Sequence, residues 1–407
     1  MLDWEKIFAT RSSRMRASEI RELLKLLDRP DIISFAGGIP DPALFPNEEF
    51  QSVYSEIFSG PTVSAALQYS VSEGYLPLRR WLAGEMAKIG IAAEPENIFI
   101  TSGSQQGLDY LGKLFLSPND TALVTWPTYL GALQAFNAYE PKYDQLTPGG
   151  NRTPETYREA AAEAGGAVKF AYLSADFSNP TGETVDRAGR EKLLDLASEL
   201  DIAIIEDAAY QSLRYDGEAI PPILALELER NGGDIDKTRT IYCGSFSKTL
   251  APGLRVGFMV GNAQVIRKLV LMKQAADLHS STINQMAICL VAERGFDAQV
   301  GKIKAVYSRR RDCMLAALEK YMPEGVSWTK PEGGMFIWLT LPTGMDGAAL
   351  LAKSLETAKV AFVPGKAFFA DGSGANTLRM SFSCANDDMI EQGISRLGTL
   401  IRSETAG

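Results

Sequence analysis

Between about residues 95 and 262 the chain repeats one pattern: a short apolar run, a Gly, Pro or Ser turn, then a stretch with helical spacing of apolar residues. Six runs read as strands: "NIFITSG" (97–103), "TALVTWP" (121–127), "KFAYLSA" (169–175), "AIIED" (203–207), "TIYCGS" (240–245) and "GFMVG" (257–261). Near-continuous apolar strands separated by helices make a mainly parallel sheet, because each crossover lays a helix on a face and leaves neither face to water. The predicted class is α/β. Residues from about 262 to 320 read as one long helical stretch, after which "KPEGGMFIWLTLP" and "NTLRMSFS" supply two strands around a helix. That part fits a smaller α+β domain. The opening residues hold an amphipathic helix near 17–28, with Ile20, Leu23, Leu24 and Leu27 on one stripe, and then the extended "ISFAGGIPDP". The expected division is an arm over 1–48, a large domain over 49–299 and a small domain over 300–407.

Composition narrows the functions open to such a fold. The chain has 407 residues, 45% of them hydrophobic and 22% charged, enough for one large core or two moderate ones. A net charge of −9 opposes an electrostatic grip on nucleic acid or anionic lipid. The first residues scatter charge where a signal peptide needs an apolar block, and no run reaches the roughly 18 apolar residues of a membrane span. A cytoplasmic protein is expected. Cys243, Cys289, Cys313 and Cys384 are far apart and His279 is the single histidine, so neither a metal site nor a disulfide framework is expected. The cysteines read as core residues. Acid–base work then falls to Lys, Asp, Glu or Tyr.

Ligands of open α/β sheets bind beyond the carboxyl ends of the strands, and five strand ends here carry polar clusters. They are "TSGSQQ", "WPTYLG", "DFSNPTG", the Asp207 and Tyr210 of "EDAAY", and "SFSK". Each has an ordinary structural explanation: a Ser-Gly turn caps a helix, Asn-Pro-Thr-Gly makes a turn, and an aspartate at a strand end caps or pairs. The functional alternative for "TSGSQQ" is a phosphate cradle, in which N–H groups at a helix start bind an anion with Ser104 and Gln105. Lys248 follows a strand expected to be buried and lies near Arg255. Desolvation and a neighbouring positive charge both lower a lysine pKa and free its amine as nucleophile and base, which suits Schiff-base chemistry. Arg255, Ser245 and Ser247 would clamp a phosphate of the same ligand, and Asp207 would pair with a pyridinium nitrogen.

With those residues in view, the chain resembles the fold-type I pyridoxal-phosphate aminotransferases of subgroup Iγ, and within them the 2-aminoadipate and kynurenine aminotransferases. The likeness runs from "SEIRELLKLLDRPDIISFAGGIPDPALFP" through "LQYSVSEGYLPLR", "TSGSQQGLD", "NPTG", "GSFSKTLAPGLRVG" and "ADLHSSTINQ" to "GGMFIWLTLP" and "NTLRMSF". It implies pyridoxal 5′-phosphate as cofactor and transfer of an amino group from an L-amino acid to a 2-oxo acid such as 2-oxoglutarate. It also implies roles. Lys248 would anchor the cofactor covalently, Asp207 would keep its ring nitrogen protonated, and Tyr210 with Asn179 would bond the ring oxygen. Tyr129 would lie against the ring, and Ser104, Gln105, Ser245, Ser247 and Arg255 would hold the phosphate. Tyr69 would reach the phosphate of a neighbouring subunit, which makes a homodimer with shared sites the expected active form. Arg379 would take the substrate α-carboxylate, assisted by Asn179 and the backbone at Gly38, and Arg21 would read a distal carboxylate. His279 would be a packed supporting residue. Two positions depart from the family: Ala208 follows Asp207 where a second acid is frequent, and Asp176 stands where an apolar residue or proline is usual. A β-lyase or decarboxylase could use the same scaffold. A regulator would need a helix-turn-helix extension, for which a segment that starts almost at Met1 leaves no room.

Overall fold

The computed structural model describes residues 2–15 and 31–405. A first short strand, β1 (Ile33–Ser34), is followed by seven that form one sheet: β2 (Ile98–Thr101), β3 (Thr121–Thr125), β4 (Lys142–Leu146), β5 (Val168–Leu173), β6 (Ala203–Asp207), β7 (Thr240–Ser245) and β8 (Gly257–Val260). Their order across the sheet is β2-β8-β7-β6-β5-β3-β4. Among these strands β8 alone opposes its neighbours, pairing antiparallel with β2 and β7. Side chains alternate between two cores, as the period of a strand demands. Ile98 and Ile100 enter a cluster with Leu82, Ile288 and Phe258, while Phe99 enters another with Leu111, Phe136 and Met259.

All six runs read as strands from the sequence are strands. The missed one is β4, "KYDQL", whose side chains are exposed or half-buried except at Leu146. It pairs with β3 only, at the sheet edge, where nothing requires the apolar run by which a central strand is recognised. The long helical stretch is two helices, Ala263–Ala276 and Thr282–Tyr321, separated at Asp277–Ser281 where Leu278 takes a left-handed φ of 64°. The second helix is interrupted at Gly295.

The C-terminal part adds β9 (Ser327–Trp328), β10 (Phe336–Thr340), β11 (Val360–Ala361), β12 (Val363–Pro364) and β13 (Thr377–Ser381). Four of these form a second sheet in the order β12-β13-β10-β9, with β10 and β13 antiparallel, and β11 pairs in parallel with β1. The extended N-terminal segment is thereby stitched to the C-terminal part. The core under the second sheet also takes in Phe177, Tyr210 and Leu213 from the loops after β5 and β6. Those loops therefore pack under the second sheet as well as extending from the first. Among the described residues no helix is long and apolar enough to cross a membrane. The cysteine expectation needs correction: Cys243 and Cys289 are buried, Cys313 is half-buried and Cys384 is exposed. Cys384 lies in the loop after β13, outside either core, with its Sγ 3.4 Å from the Ile39 carbonyl oxygen.

Candidate active site

The carboxyl ends of β2, β5, β6 and β7 open on a cavity of about 380 Å³ that is closed on one side by β13. Twelve residues singled out in the sequence line it: Gly38, Ser104, Gln105, Tyr129, Asn179 and Asp207 on one part, with Tyr210, Ser245, Ser247, Lys248, Arg255 and Arg379 on the rest. Asp207 ends β6, so its backbone is fixed by pairing with Cys243 of β7. Its Oδ2 accepts a hydrogen bond of 2.8 Å from the Tyr172 hydroxyl. Its Oδ1 is buried and makes no hydrogen bond of normal geometry. Burial pushes the carboxyl up to about 6, although the Tyr172 hydroxyl, the Ala209 amide and the positive Lys248 all favour its charged form. A buried acceptor left open is costly unless something donates to it.

Lys248 stands in the turn after β7, and its Nζ donates to the Gly38 carbonyl oxygen at 2.9 Å. Burial, reinforced by Arg379 and Arg255, brings the amine down to about 8. Arg379 projects from the middle of β13, where it faces Trp338 of β10 and Val363 of β12 in the ladder. It is 2% exposed and wedged between the rings of Phe336 and Phe368, 4.3 and 5.1 Å from their centroids. Nη1 donates to Asn179 Oδ1 at 2.7 Å and Nη2 to the Ala36 carbonyl oxygen at 3.0 Å. Its Nε has no partner, and no described carboxylate forms an ion pair with it. Desolvation lowers it to about 10, still charged near neutrality. Asn179 links the two halves of the cavity, since its Nδ2 donates to the Tyr210 hydroxyl at 3.4 Å.

The far end is built by the start of the helix Ser104–Phe115, preceded by Gly103 at φ 80°. Glycine suits the position because L side chains rarely adopt that φ, and a Cβ there would push the Arg255 guanidinium aside. Free N–H groups of the first helical turn, the hydroxyls of Ser245 and Ser247, themselves 2.9 Å apart, and Arg255 converge on this end. Such a set of donors can hold an anion and is called the cradle below. Tyr129 forms a wall, with its hydroxyl 3.5 Å from Gln105 Oε1, and the Gln105 Nε2 donates to the Gly131 carbonyl oxygen at 2.6 Å.

Residues 63–397 match the family described as aminotransferase class I and II. The chain belongs to that family. The aminotransferase is 43% identical to aromatic-amino-acid aminotransferase 1 of Thermococcus litoralis, over 99% of this chain and 96% of that one. Its fold superposes with a TM-score of 0.90 on the kynurenine aminotransferase of Pyrococcus horikoshii, solved with PMP, at 44% identity over 99% and 98% of the two chains. The α-aminoadipate aminotransferase LysN of Thermus thermophilus, complexed with N-(5′-phosphopyridoxyl)-L-leucine, gives 0.88 at 39% identity over 100% of both. The aminotransferase is thus a pyridoxal-phosphate-dependent enzyme of fold type I. The open Asp207 Oδ1 at one end and the anion cradle at the other fit a pyridine nitrogen and a phosphate on one flat molecule.

Tyr69, Arg21 and Asp176, also singled out in the sequence, are not among the described residues that line the cavity. Tyr69 is 78% exposed and does not line the cavity of its own chain; its ring meets that of His279 edge-on at 6.1 Å. Arg21 and the apolar stripe beside it lie outside the described residues. Asp176 does not line the cavity and pairs with the buried Arg190 at 2.8 Å and with Arg214 at 3.4 Å. Sequence reasoning missed Tyr172, the donor to Asp207, and Ile39, Leu130 and Gln134, which also line the cavity. A tyrosine inside a buried strand was the available signal, because its hydroxyl must find a partner.

Proposed function

We propose that the aminotransferase transfers the amino group of 2-aminoadipate, glutamate or an aromatic or apolar L-amino acid to 2-oxoglutarate, as a homodimer in the cytoplasm. The observation that carries the substrate reading is Arg379: a buried guanidinium without a carboxylate partner, in the same cavity as Lys248 and Asp207. A buried cation of this kind calls for an anion, and a planar fork suits the α-carboxylate of an amino acid. Bound pyridoxal phosphate withdraws electrons from the substrate Cα and so acidifies its C–H bond. Lys248 Nζ takes that proton and returns it, as an amine brought down to about 8 can do near neutrality. Asp207 holds the proton on the ring nitrogen, Asn179 and Tyr210 bond the ring oxygen, and Tyr129 keeps water from the ring face. Ser104, Gln105, Ser245, Ser247 and Arg255 hold the phosphate.

Support for the dimer comes from Tyr69 and its exposed neighbours Leu67 and Val71, apolar side chains at a surface that a second copy would cover. Cysteines that are all free agree with a reducing compartment. For the domains, the division near 299 is supported by the break at Gly295 in the long helix, and that near 48 by the start of the helix Asn47–Ser59.

The test is a panel of amino donors with 2-oxoglutarate and analysis of both products. A 2-oxo acid and glutamate in equal amounts are expected; ammonia or an amine lacking its carboxylate would mean lyase or decarboxylase chemistry. Arg379→Gln is expected to lower kcat/KM for every donor by roughly two decades, since a buried charged pair lost on one side costs about 2–5 kcal/mol. Steady-state kinetics checks it, and a loss confined to one donor would contradict a role at the α-carboxylate. For the side chain of acidic substrates we assign Arg21, on the resemblance of "SEIRELLKLL" to the 2-aminoadipate enzymes. Arg21→Ala should cut kcat/KM for glutamate and 2-aminoadipate by roughly one to two decades, from the ~1.5–3 kcal/mol of a charge-assisted bond, and spare leucine in its half reaction. Equal losses for glutamate and leucine would remove Arg21 from the site.

A further inference from the structure

Behind the anion cradle lies a charged group that does not line the cavity. Lys273 is in the last turn of the helix Ala263–Ala276, and its side chain is 0% exposed. Its Nζ donates to Gln106 Oε1 at 2.7 Å and to the two carboxylate oxygens of Asp277 at 2.9 and 3.1 Å. Gln106 is the pivot of the group. The same Oε1 accepts the Ser102 backbone N–H at 2.9 Å, and Nε2 donates to Asp277 Oδ2 at 2.8 Å. The Ser102 hydroxyl adds a 3.4 Å bond to Asp277 Oδ2 and stands 3.1 Å from the Ser280 hydroxyl.

An ordinary lysine–aspartate pair four residues apart on a helix lies in water and contributes a few tenths of a kcal/mol. This one differs in two respects. The ammonium is withdrawn from water, which costs much of what the pair gains, and it points across to the first turn of another helix. What the arrangement achieves is geometric: Ser102 and Gln106, the residues on either side of Gly103, Ser104 and Gln105, are both tied to one oxygen, Asp277 Oδ2. Of the three residues between them, Ser104 and Gln105 carry the free N–H groups, the hydroxyl and the amide of the cradle, and Gly103, whose N–H donates to the Thr101 carbonyl oxygen at 2.9 Å, makes the turn.

We propose that Lys273, Asp277 and Gln106 form a positioning network that holds the turn 102–106 in the shape that receives the cofactor phosphate. The inference rests on the reading of Ser104 and Gln105 as phosphate ligands. Preformed donors bind an anion more tightly than donors that must first be ordered, so the network acts on affinity for the phosphate and not on the proton transfers at Lys248.

The experiment measures dissociation constants of the apoprotein for pyridoxal phosphate and for pyridoxal, which lacks the phosphate, with circular dichroism to establish folding. Lys273→Met and Gln106→Ala should each raise the constant for pyridoxal phosphate roughly tenfold. The constant for pyridoxal should change less than about twofold, and kcat at saturating cofactor should stay near the parent value. Because the residues act as one unit, the double variant should be no weaker than the worse single one. Gln106→Ala decides the matter alone if Lys273→Met does not fold. Equal losses for both ligands, or none in a folded variant, would overturn the network. A parent protein that binds both ligands equally would instead show that the cradle does not hold the phosphate, and the proposal would fall for that separate reason.

Discussion

Lys248→Ala is expected to give a folded protein whose transamination rate is lower by at least about four decades, because the proposed mechanism assigns this one position both nucleophile and base. Single-turnover absorbance with glutamate measures this, and turnover within tenfold of the parent, without added amine, would exclude Lys248 from both roles. The same variant reports on what the lysine costs. The folded apoprotein holds its amine at about 8 against an ordinary 10.5, chiefly through burial. Between those values the folded state carries fewer protons than the unfolded chain, so stability rises with pH across the window, and below pH 8 the whole cost is present. Apo Lys248→Ala should therefore resist urea better than the apo parent at pH 7, with a gap that narrows toward pH 10.5. A gap that is constant with pH would mean that the lysine charge is not strained in the fold. The site is less stable than it need be, and cofactor binding relieves it.

Asp207→Asn is expected to lower the rate roughly 10²- to 10³-fold while the protein folds and still binds cofactor. An amide has nearly the same shape and can still accept from Tyr172, but it cannot balance a positive ring nitrogen by charge. Folding should not suffer, since the carboxylate, pushed up to about 6 by burial, is itself costly to bury. Rapid mixing of the loaded variant with glutamate separates this from weak binding. An unchanged rate would assign the ring nitrogen to another residue.

How far the sequence led depended on how local each signal was. The buried strands were legible because "IFIT", "TALVT" and "AIIED" carry apolar residues on both faces, as strands covered on both sides do. The edge strand "KYDQL" was not, because its exposed positions need not be apolar. Lys248, Asp207 and Ser104 could be found from residue type at a strand end. Arg379 could not be found in that way: it is one arginine in a small-domain strand, and only resemblance gave it a role before the fold brought it against Asn179. The Lys273 network was equally hidden, since its partners are Gln106 and Asp277, and the 2.7 Å bond to Gln106 spans 167 residues of chain.

The central claim is that one lysine, Lys248, carries the cofactor in this cavity. Borohydride reduction of the loaded protein, followed by proteolysis and mass spectrometry of the peptides, tests it without relying on turnover. A phosphopyridoxyl group on the peptide that contains Lys248, and on no other, is the expected result. Label on a different lysine, or a loaded protein with no labelled peptide, would contradict it.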